Sequence, residues 1–282
     1  MNIEQFDHDV NSYKDSMIYF FNLWNTVDTK INLIASYLDQ SNIKDVVIGI
    51  SGGIDSAVVL ALLTQVKKQH IHDLKIHGYC ITFDQVYGNV FDPKYVELLQ
   101  QKFCEPDISI DILDCTSSLN SMVADLQLPR DKQLLAQVSY ALRYQMFFAY
   151  AQLYKGVTFG TTNRDEFEYV GWFGKNSDMV VDFQCITDWH KFLVIEAAHR
   201  LGVPQQIIDR VPTGDLIDNS SDEDNFGCTY DQLAYFGSLS TMSKCRMRLG
   251  DIFYDTYKKV LDLHQKNIHK YQGQTFNPFF IK

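Results

Sequence analysis

The residues best able to do chemistry lie together in Ile48-Gly49-Ile50-Ser51-Gly52-Gly53-Ile54-Asp55-Ser56. Where a buried strand runs into a helix, backbone N–H groups and the positive end of the helix converge on one small concavity that suits a phosphate. Gly52 and Gly53 permit close backbone approach, and Ser51 and Ser56 add hydroxyls. Asp55 would repel a phosphate directly, so it makes sense as a ligand to Mg2+, which bridges polyphosphate oxygens and neutralises them. The chain has no G-x-x-x-x-G-K-[ST] and no G-x-G-x-x-G, which excludes a loop for γ-phosphoryl transfer and the dinucleotide fingerprint.

The surrounding pattern supplies elements to hold this loop. From Asp9 to Leu38 apolar residues recur at intervals of three and four, the helical period. Asp45 to Ser51 is a short β-branched run bounded by a turn, as a buried parallel strand would be. Helix is expected over Ile54 to Lys68, strand over Leu74 to Thr82, helix over Pro93 to Phe103, and strand over Ile108 to Leu113. A long apolar helix over Asp131 to Tyr154 and a strand over Gly156 to Thr161 follow. This alternation predicts an α/β fold with a doubly wound, mostly parallel sheet and helices on both faces. After Thr161 the pattern loosens to Asp188, then a helix is expected over Trp189 to Leu201, followed by an acidic loop over Asp218 to Asp224 and two more helical segments. No repeat or composition shift marks a second unit, so residues 1–282 are expected to form one domain.

Bulk properties narrow the partners. A formal net charge of −10 provides no attraction to a polyanion, which argues against nucleic acid and for small molecules. The six cysteines are scattered without C-x-x-C spacing, the usage expected of reduced thiols in a cytoplasmic protein. The polar, acidic MNIEQFDHDVNSYKD segment is unlike a signal peptide, and no apolar run reaches the roughly 18 residues of a membrane span.

The sequence Ser51-Gly52-Gly53-Ile54-Asp55-Ser56 resembles the pyrophosphate-binding loop of the N-type ATP pyrophosphatases, which split ATP into AMP and pyrophosphate to adenylate a substrate. Within that group the chain is similar to the ammonia-dependent NAD+ synthetases, in order from about Thr29 to Lys270. Gly160-Thr161-Thr162-Asn163-Arg164-Asp165-Glu166 resembles their G-T-x-x-x-x-E, and Pro212-Thr213-Gly214-Asp215-Leu216 their P-[ST]-A-D-L. Asp222-Glu223-Asp224 with Gly227-Cys228-Thr229-Tyr230 resembles their D-E-x-x-L-G-x-T-Y, and His269-Lys270 their C-terminal His-Lys.

The resemblance implies an adenine nucleotide alpha hydrolase-like fold, ATP as co-substrate and Mg2+ as cofactor. It implies that Gly49, Ile50, Ser51, Gly52, Gly53, Ile54, Asp55, Ser56, Thr161, Lys191 and Thr213 contact ATP, and that Asp55 and Glu166 hold the metal. Arg143, Lys175, Asp182, His269 and Lys270 are expected on the acyl-substrate side, with Asp178 and Lys191 as catalytic groups. The chemistry fits these roles. Amidating a carboxylate requires turning one oxygen into a leaving group, which attack on the α-phosphorus achieves, and a carboxylate such as Asp178 would draw a proton from incoming ammonium.

The departures from the family pattern fall on the acyl side. The K-A-R-x-R-M helix reads Ser139-Tyr140-Ala141-Leu142-Arg143-Tyr144, so the first arginine, which contacts deamido-NAD in the family, is Ala141. The T-K-[YF]-G-D-G-G segment reads Gly174-Lys175-Asn176-Ser177-Asp178-Met179-Val180, and 83–88 also differs. The expected reaction is amidation of deamido-NAD. The alternatives are the same chemistry on another carboxylate, such as nicotinate mononucleotide or an unrelated metabolite, and nucleotide binding without turnover. Only 50 residues precede Ser51, too few for a glutaminase domain, so free ammonia or a separate glutaminase is expected as nitrogen source. The resemblance also implies a homodimer.

Overall fold

A computed structural model describes residues 3–83, 92–174, 176–212, 221–239 and 242–272. Lys175, Thr213 and residues 84–88, singled out above, lie outside the described residues. Two helices, α1 (Ile3–Leu23) and α2 (Thr26–Gln40), open the chain. The sequence period runs through both without a break, but Asn25 adopts a left-handed conformation (φ 49°) that ends one helix and turns into the next. Part of the apolar stripe is therefore outside the core, and Leu23 and Trp24 are exposed.

The alternation predicted from periodicity follows as β1 (Asp45–Gly49), α3 (Ile54–Gln69), β2 (Lys75–Thr82), α4 (Lys94–Phe103), β3 (Ile108–Asp114), α5 (Thr116–Asp125), α6 (Lys132–Tyr154) and β4 (Val157–Gly160). Asp131 marks the start of α6 because its side chain accepts the Leu134 N–H, satisfying one of the helix's orphan donors. Beyond β4 come a π-helical turn (Asp165–Val170), β5 (Phe183–Gln184), α7 (Lys191–Leu201), α8 (Gln205–Ile208), α9 (Asp222–Phe226), α10 (Tyr230–Ser238), α11 (Met242–Asn267) and α12 (His269–Gln272). Of the acidic stretch expected as a loop, Asp222 to Asp224 open α9, because Ser221 and Asp224 form a reciprocal capping box, and 218–220 lie outside the described residues.

Among the described residues the sheet has five strands, all parallel, in the order β3-β2-β1-β4-β5. Alternate residues of β1 face opposite layers: Val46 and Ile48 pack with α2, α3 and α7, whereas Val47 packs with α5 and α6. The sheet is therefore covered on both faces, as its continuous apolar strands require. Helix α3 is buried on nearly every side, and Leu60, Leu62 and Leu63 are fully enclosed. The connection from β1 leads to β2 on one side, while β4 lies on the other, so a crevice opens between the carboxyl ends of β1 and β4. The Ser51-Gly52-Gly53 loop and the Thr161–Arg164 turn meet at that crevice.

Candidate active site

The loop after β1 has the shape its glycines allow. A Cβ on Gly49 would lie 2.8 Å from the Phe147 ring, so only glycine lets the end of β1 pass beneath α6. Gly52 has φ +75°, and a Cβ there would also stand 3.0 Å from Cβ of Tyr95. Ser51 Oγ accepts the Gly53 N–H at 3.2 Å, and Ser56 Oγ donates to the Gly53 carbonyl at 3.1 Å. Gly53 caps α3 without a side chain, leaving first-turn N–H groups of that helix directed outward for an anion. Arg210, which the sequence reading passed over, lies at the lip with its guanidinium 4.7 Å from the Tyr95 ring centre and Nη1 3.5 Å from the Ser51 carbonyl. Gly52→Ala is expected to weaken ATP binding about tenfold and to cost about 1 kcal/mol of stability, since alanine resists positive φ. Calorimetric titration and urea unfolding measure the two effects.

Asp55, in the first turn of α3, lies between two partners drawn from elsewhere in the chain. Its Oδ2 accepts from Lys191 Nζ at 2.5 Å, and its Oδ1 accepts from Asn163 Nδ2 at 3.3 Å. Lys191 Nζ is also 3.9 Å from Glu166 Oε1, so one ammonium faces both carboxylates. Asn163 bridges further, its carbonyl accepting the Glu166 N–H at 3.1 Å. Tyr230, the first residue of α10, donates to Glu166 Oε1 at 2.9 Å and lies 3.3 Å from Asp222 Oδ2. Trp172 Nε1 donates to Asp222 Oδ1 at 3.2 Å.

Burial and the nearby Asp55 push the Glu166 carboxyl up to about 8, although Lys191 opposes the shift. Burial likewise raises Asp222, against the pull of Lys191, Tyr230 and Trp172. For Lys191 burial works toward the neutral form, but Asp55 and Glu166 outweigh it and hold the ammonium charged. Lys191 thus pairs directly with Asp55 and faces Glu166, and Asp222 acts on it from farther away. Among the described residues no three His, Cys, Asp or Glu side chains are grouped as a self-sufficient metal cage. Two hard carboxylates fit Mg2+ all the same, because that ion commonly takes one or two protein carboxylates and completes its shell with phosphates and water.

The residues expected on the acyl side lie next to this cluster, beside α6. Asp178 Oδ1 accepts from Tyr144 OH at 2.9 Å, while its Oδ2 accepts from the Gly174 N–H at 3.0 Å and from Ser177 Oγ at 2.9 Å. Asp182 Oδ2 accepts both the N–H and the hydroxyl of Thr158 at 2.8 Å, fixing the segment before β5. Beside it opens a cavity of about 330 Å³ lined by Tyr144, Phe148, Thr158, Val180 and Asp182 among others. Lys270 donates to the Gly171 carbonyl at 2.9 Å, and burial pushes its ammonium toward the neutral form against the pull of Asp178. Arg143 donates from Nε to the Ile81 carbonyl at 3.0 Å and lies over the Phe83 ring. His269 is exposed, with Nδ1 against the Lys266 carbonyl. Of the functional side chains, Asn163, Asp222 and Tyr230 were visible only as members of quoted motifs, and Trp172 carried no signal.

The family model for NAD synthase matches residues 26–273. The chain belongs to that family. It is 32% identical to the NH3-dependent NAD+ synthetase of Mesoplasma florum over 88% of this chain and 93% of that protein. It is 30% identical to the enzyme of the same name from Thermoplasma volcanium, over 80% and 87%. Among solved structures, the NMN synthetase of Francisella tularensis superposes with a TM-score of 0.73 at 22% identity, covering 90% of this chain and 97% of that one. The NH3-dependent NAD synthetase of Campylobacter jejuni superposes with a TM-score of 0.69 at 18% identity, covering 90% and 98%. These likenesses agree with the doubly wound fold, and membership of the NAD synthase family agrees with the resemblance seen in the motifs. Cys80, Cys104, Cys115, Cys185 and Cys228 are not joined in disulfides.

Proposed function

We propose that this member of the NAD synthase family converts deamido-NAD to NAD+ with ATP and ammonia, forming the C–N bond through an acyl adenylate. The observation that carries the reading is the convergence of Asp55, Glu166 and Lys191 beside the phosphate cradle, from three elements distant in sequence. A substrate carboxylate oxygen attacks the α-phosphorus, the bond to the pyrophosphate breaks, and pyrophosphate departs along the α3 N-terminus. Lys191, held charged, stabilises the negative charge that grows there. Ammonia then attacks the acyl carbon and AMP leaves with the electron pair of the broken C–O bond.

Mg2+ held by Asp55 and Glu166 would offset charge on the phosphates during the first step. Asp178, with Tyr144 and Ser177 on its oxygens, and Lys270 beside it line the acyl side of the same crevice. The reading carries with it a homodimer in the cytoplasm, supported by the exposed apolar side chains of Phe148 and Leu153 on α6. Among the described residues no helix is long and apolar enough to cross a membrane. Protein supplied with deamido-NAD, ATP, magnesium and ammonium should release AMP and NAD+ in equal amounts. No product with any pyridine carboxylate would overturn the reading.

A second acyl substrate, nicotinate mononucleotide, is favoured by one observation. Ala141 stands at the position of the family's substrate arginine, and Arg143 is committed to the Ile81 carbonyl instead of replacing it. Ala141 lies one helical turn from Tyr144 and Gln145, which line the cavity, so an arginine at 141 would reach toward it. Ala141→Arg is expected to tighten deamido-NAD binding about tenfold, the worth of a charged hydrogen bond of roughly 1.5–3 kcal/mol. Weaker binding in equilibrium titration would assign the pocket to the shorter carboxylate.

A further inference from the structure

We propose that Tyr13, His190 and Asp165 form a relay of positioning residues, buried at its inner end, that sets Lys191 against Asp55, so that α1 controls turnover from outside the family-matched segment. The inference rests on the amidation reaction proposed above for the role of Lys191. Asp165 and His190 are both 0% exposed, and neither belongs to the cluster of ATP-facing groups. The two oxygens of Asp165 are divided: Oδ2 accepts the backbone N–H of Lys191 at 2.7 Å, and Oδ1 is 2.7 Å from His190 Nδ1. Asp165 directly precedes Glu166, and His190 directly precedes Lys191. One carboxylate therefore ties together the backbone bases of both groups that face Asp55.

The chain of contacts continues outward. The other ring nitrogen of His190, Nε2, lies 3.2 Å from Tyr13 OH, so the hydrogen-bonded chain runs from Asp165 through the imidazole to α1. Burial raises the Tyr13 phenol above its ordinary value, which keeps it a donor. Tyr169 and Phe192 both stack with the His190 ring, at 6.0 and 5.2 Å between centres, and restrict its rotation. A buried carboxylate needs such partners, and the N-terminus of α7 adds a favourable dipole.

Helix α1 grips the opposite wall as well. Lys14 pairs with Asp231 at 2.6 Å, one residue beyond the Tyr230 that donates to Glu166. Residues 3–23 precede the family match at residue 26, so this control belongs to a part of the chain that the shared motifs do not include. Small displacements at a reacting centre have large kinetic effects, about a hundredfold for a misplacement near 1 Å.

The test uses the full chain and four variants, Tyr13→Phe, His190→Asn, His190→Phe and the Tyr13→Phe/His190→Asn pair. Asparagine keeps an N–H close to the position of Nδ1 and drops the link to Tyr13, whereas phenylalanine drops both. Tyr13→Phe and His190→Asn should each lower kcat about tenfold with KM for ATP within about twofold, and the pair should be no worse than either alone. His190→Phe should lose about a hundredfold. Turnover at the wild-type level in Tyr13→Phe, or effects that multiply in the pair, would overturn the relay.

A second readout does not depend on the acyl substrate. Hydrogen exchange of the Lys191 amide should quicken about tenfold in Tyr13→Phe and His190→Asn, while the amides of β1 keep their wild-type rates. Equal quickening in both segments, or none at Lys191, also overturns the relay. A wild type that makes no AMP or pyrophosphate defeats the proposed reaction, and the exchange experiment then decides the relay by itself.

Discussion

Glu166→Gln is expected to abolish release of AMP and pyrophosphate, by about 10³-fold or more, while making the ligand-free protein harder to unfold at pH 8. The two effects share a cause. Burial and Asp55 push the Glu166 carboxyl up to about 8, far above its ordinary range near 4.5, so the folded state favours its neutral form. A folded-state value above the unfolded one means that the folded protein binds the extra proton between the two. The contribution is fully present below about pH 4.5 and is lost as pH rises through about 8.

Glutamine keeps the acceptor for Tyr230 and never ionises. In the presence of a chelator, the wild type should therefore lose on the order of 1–3 kcal/mol more than Glu166→Gln between pH 6 and pH 9. Parallel urea titrations at the two pH values measure this. Identical slopes for both proteins would contradict the electrostatic account of the site.

Lys191→Met should reverse the stability effect while also removing most of the activity. Its ammonium is the cation shared by Asp55 and Glu166, and its side chain is only 5% exposed. Without it Asp55, Glu166 and Asp222 face one another unpaired. Breaking a buried pair from one side typically costs about 3–5 kcal/mol. The rate should fall by about 10²–10³-fold, the usual effect of deleting a charge aimed at a developing anion. The Glu166→Gln/Lys191→Met pair should recover part of the lost stability and none of the rate, because the lysine's favourable interaction disappears with its partner. Thermal unfolding of the three variants reads the coupling directly.

How much of this was legible in advance follows from which interactions are local. The strand over Asp45–Gly49, the helix over Ile54–Gln69 and the helix over Lys132–Tyr154 were readable because apolar period and β-branching point the same way in each. The break at Asn25 was not, since the apolar period continues across it and only one residue changes conformation. Strand β5 has two residues, too few for any alternation, and forms because Phe159 and Gly160 offer it an edge.

In the site, Ser51 to Ser56 could be read as a phosphate loop from sequence spacing alone. The meeting of Asp55 with Lys191 could not, because 136 positions separate them and only the sheet order brings them together. Arg143 illustrates the opposite limit. Its place in a helix motif is correct, but its side chain goes to the Ile81 carbonyl, a choice set by the neighbouring β2 and invisible in its own segment.

The contact between Gly49 and Phe147 links two halves of the molecule that the chemistry treats separately. The strand that ends in the phosphate loop rests directly against the helix that carries Ala141, Arg143 and Tyr144. Laboratory evolution toward other carboxylates can vary the cavity-facing positions of that helix. Bulk at 49 or a shift of the aromatic ring at 147 would be transmitted straight into the nucleotide loop, so libraries that spare this pair should retain far more working clones than libraries that include it.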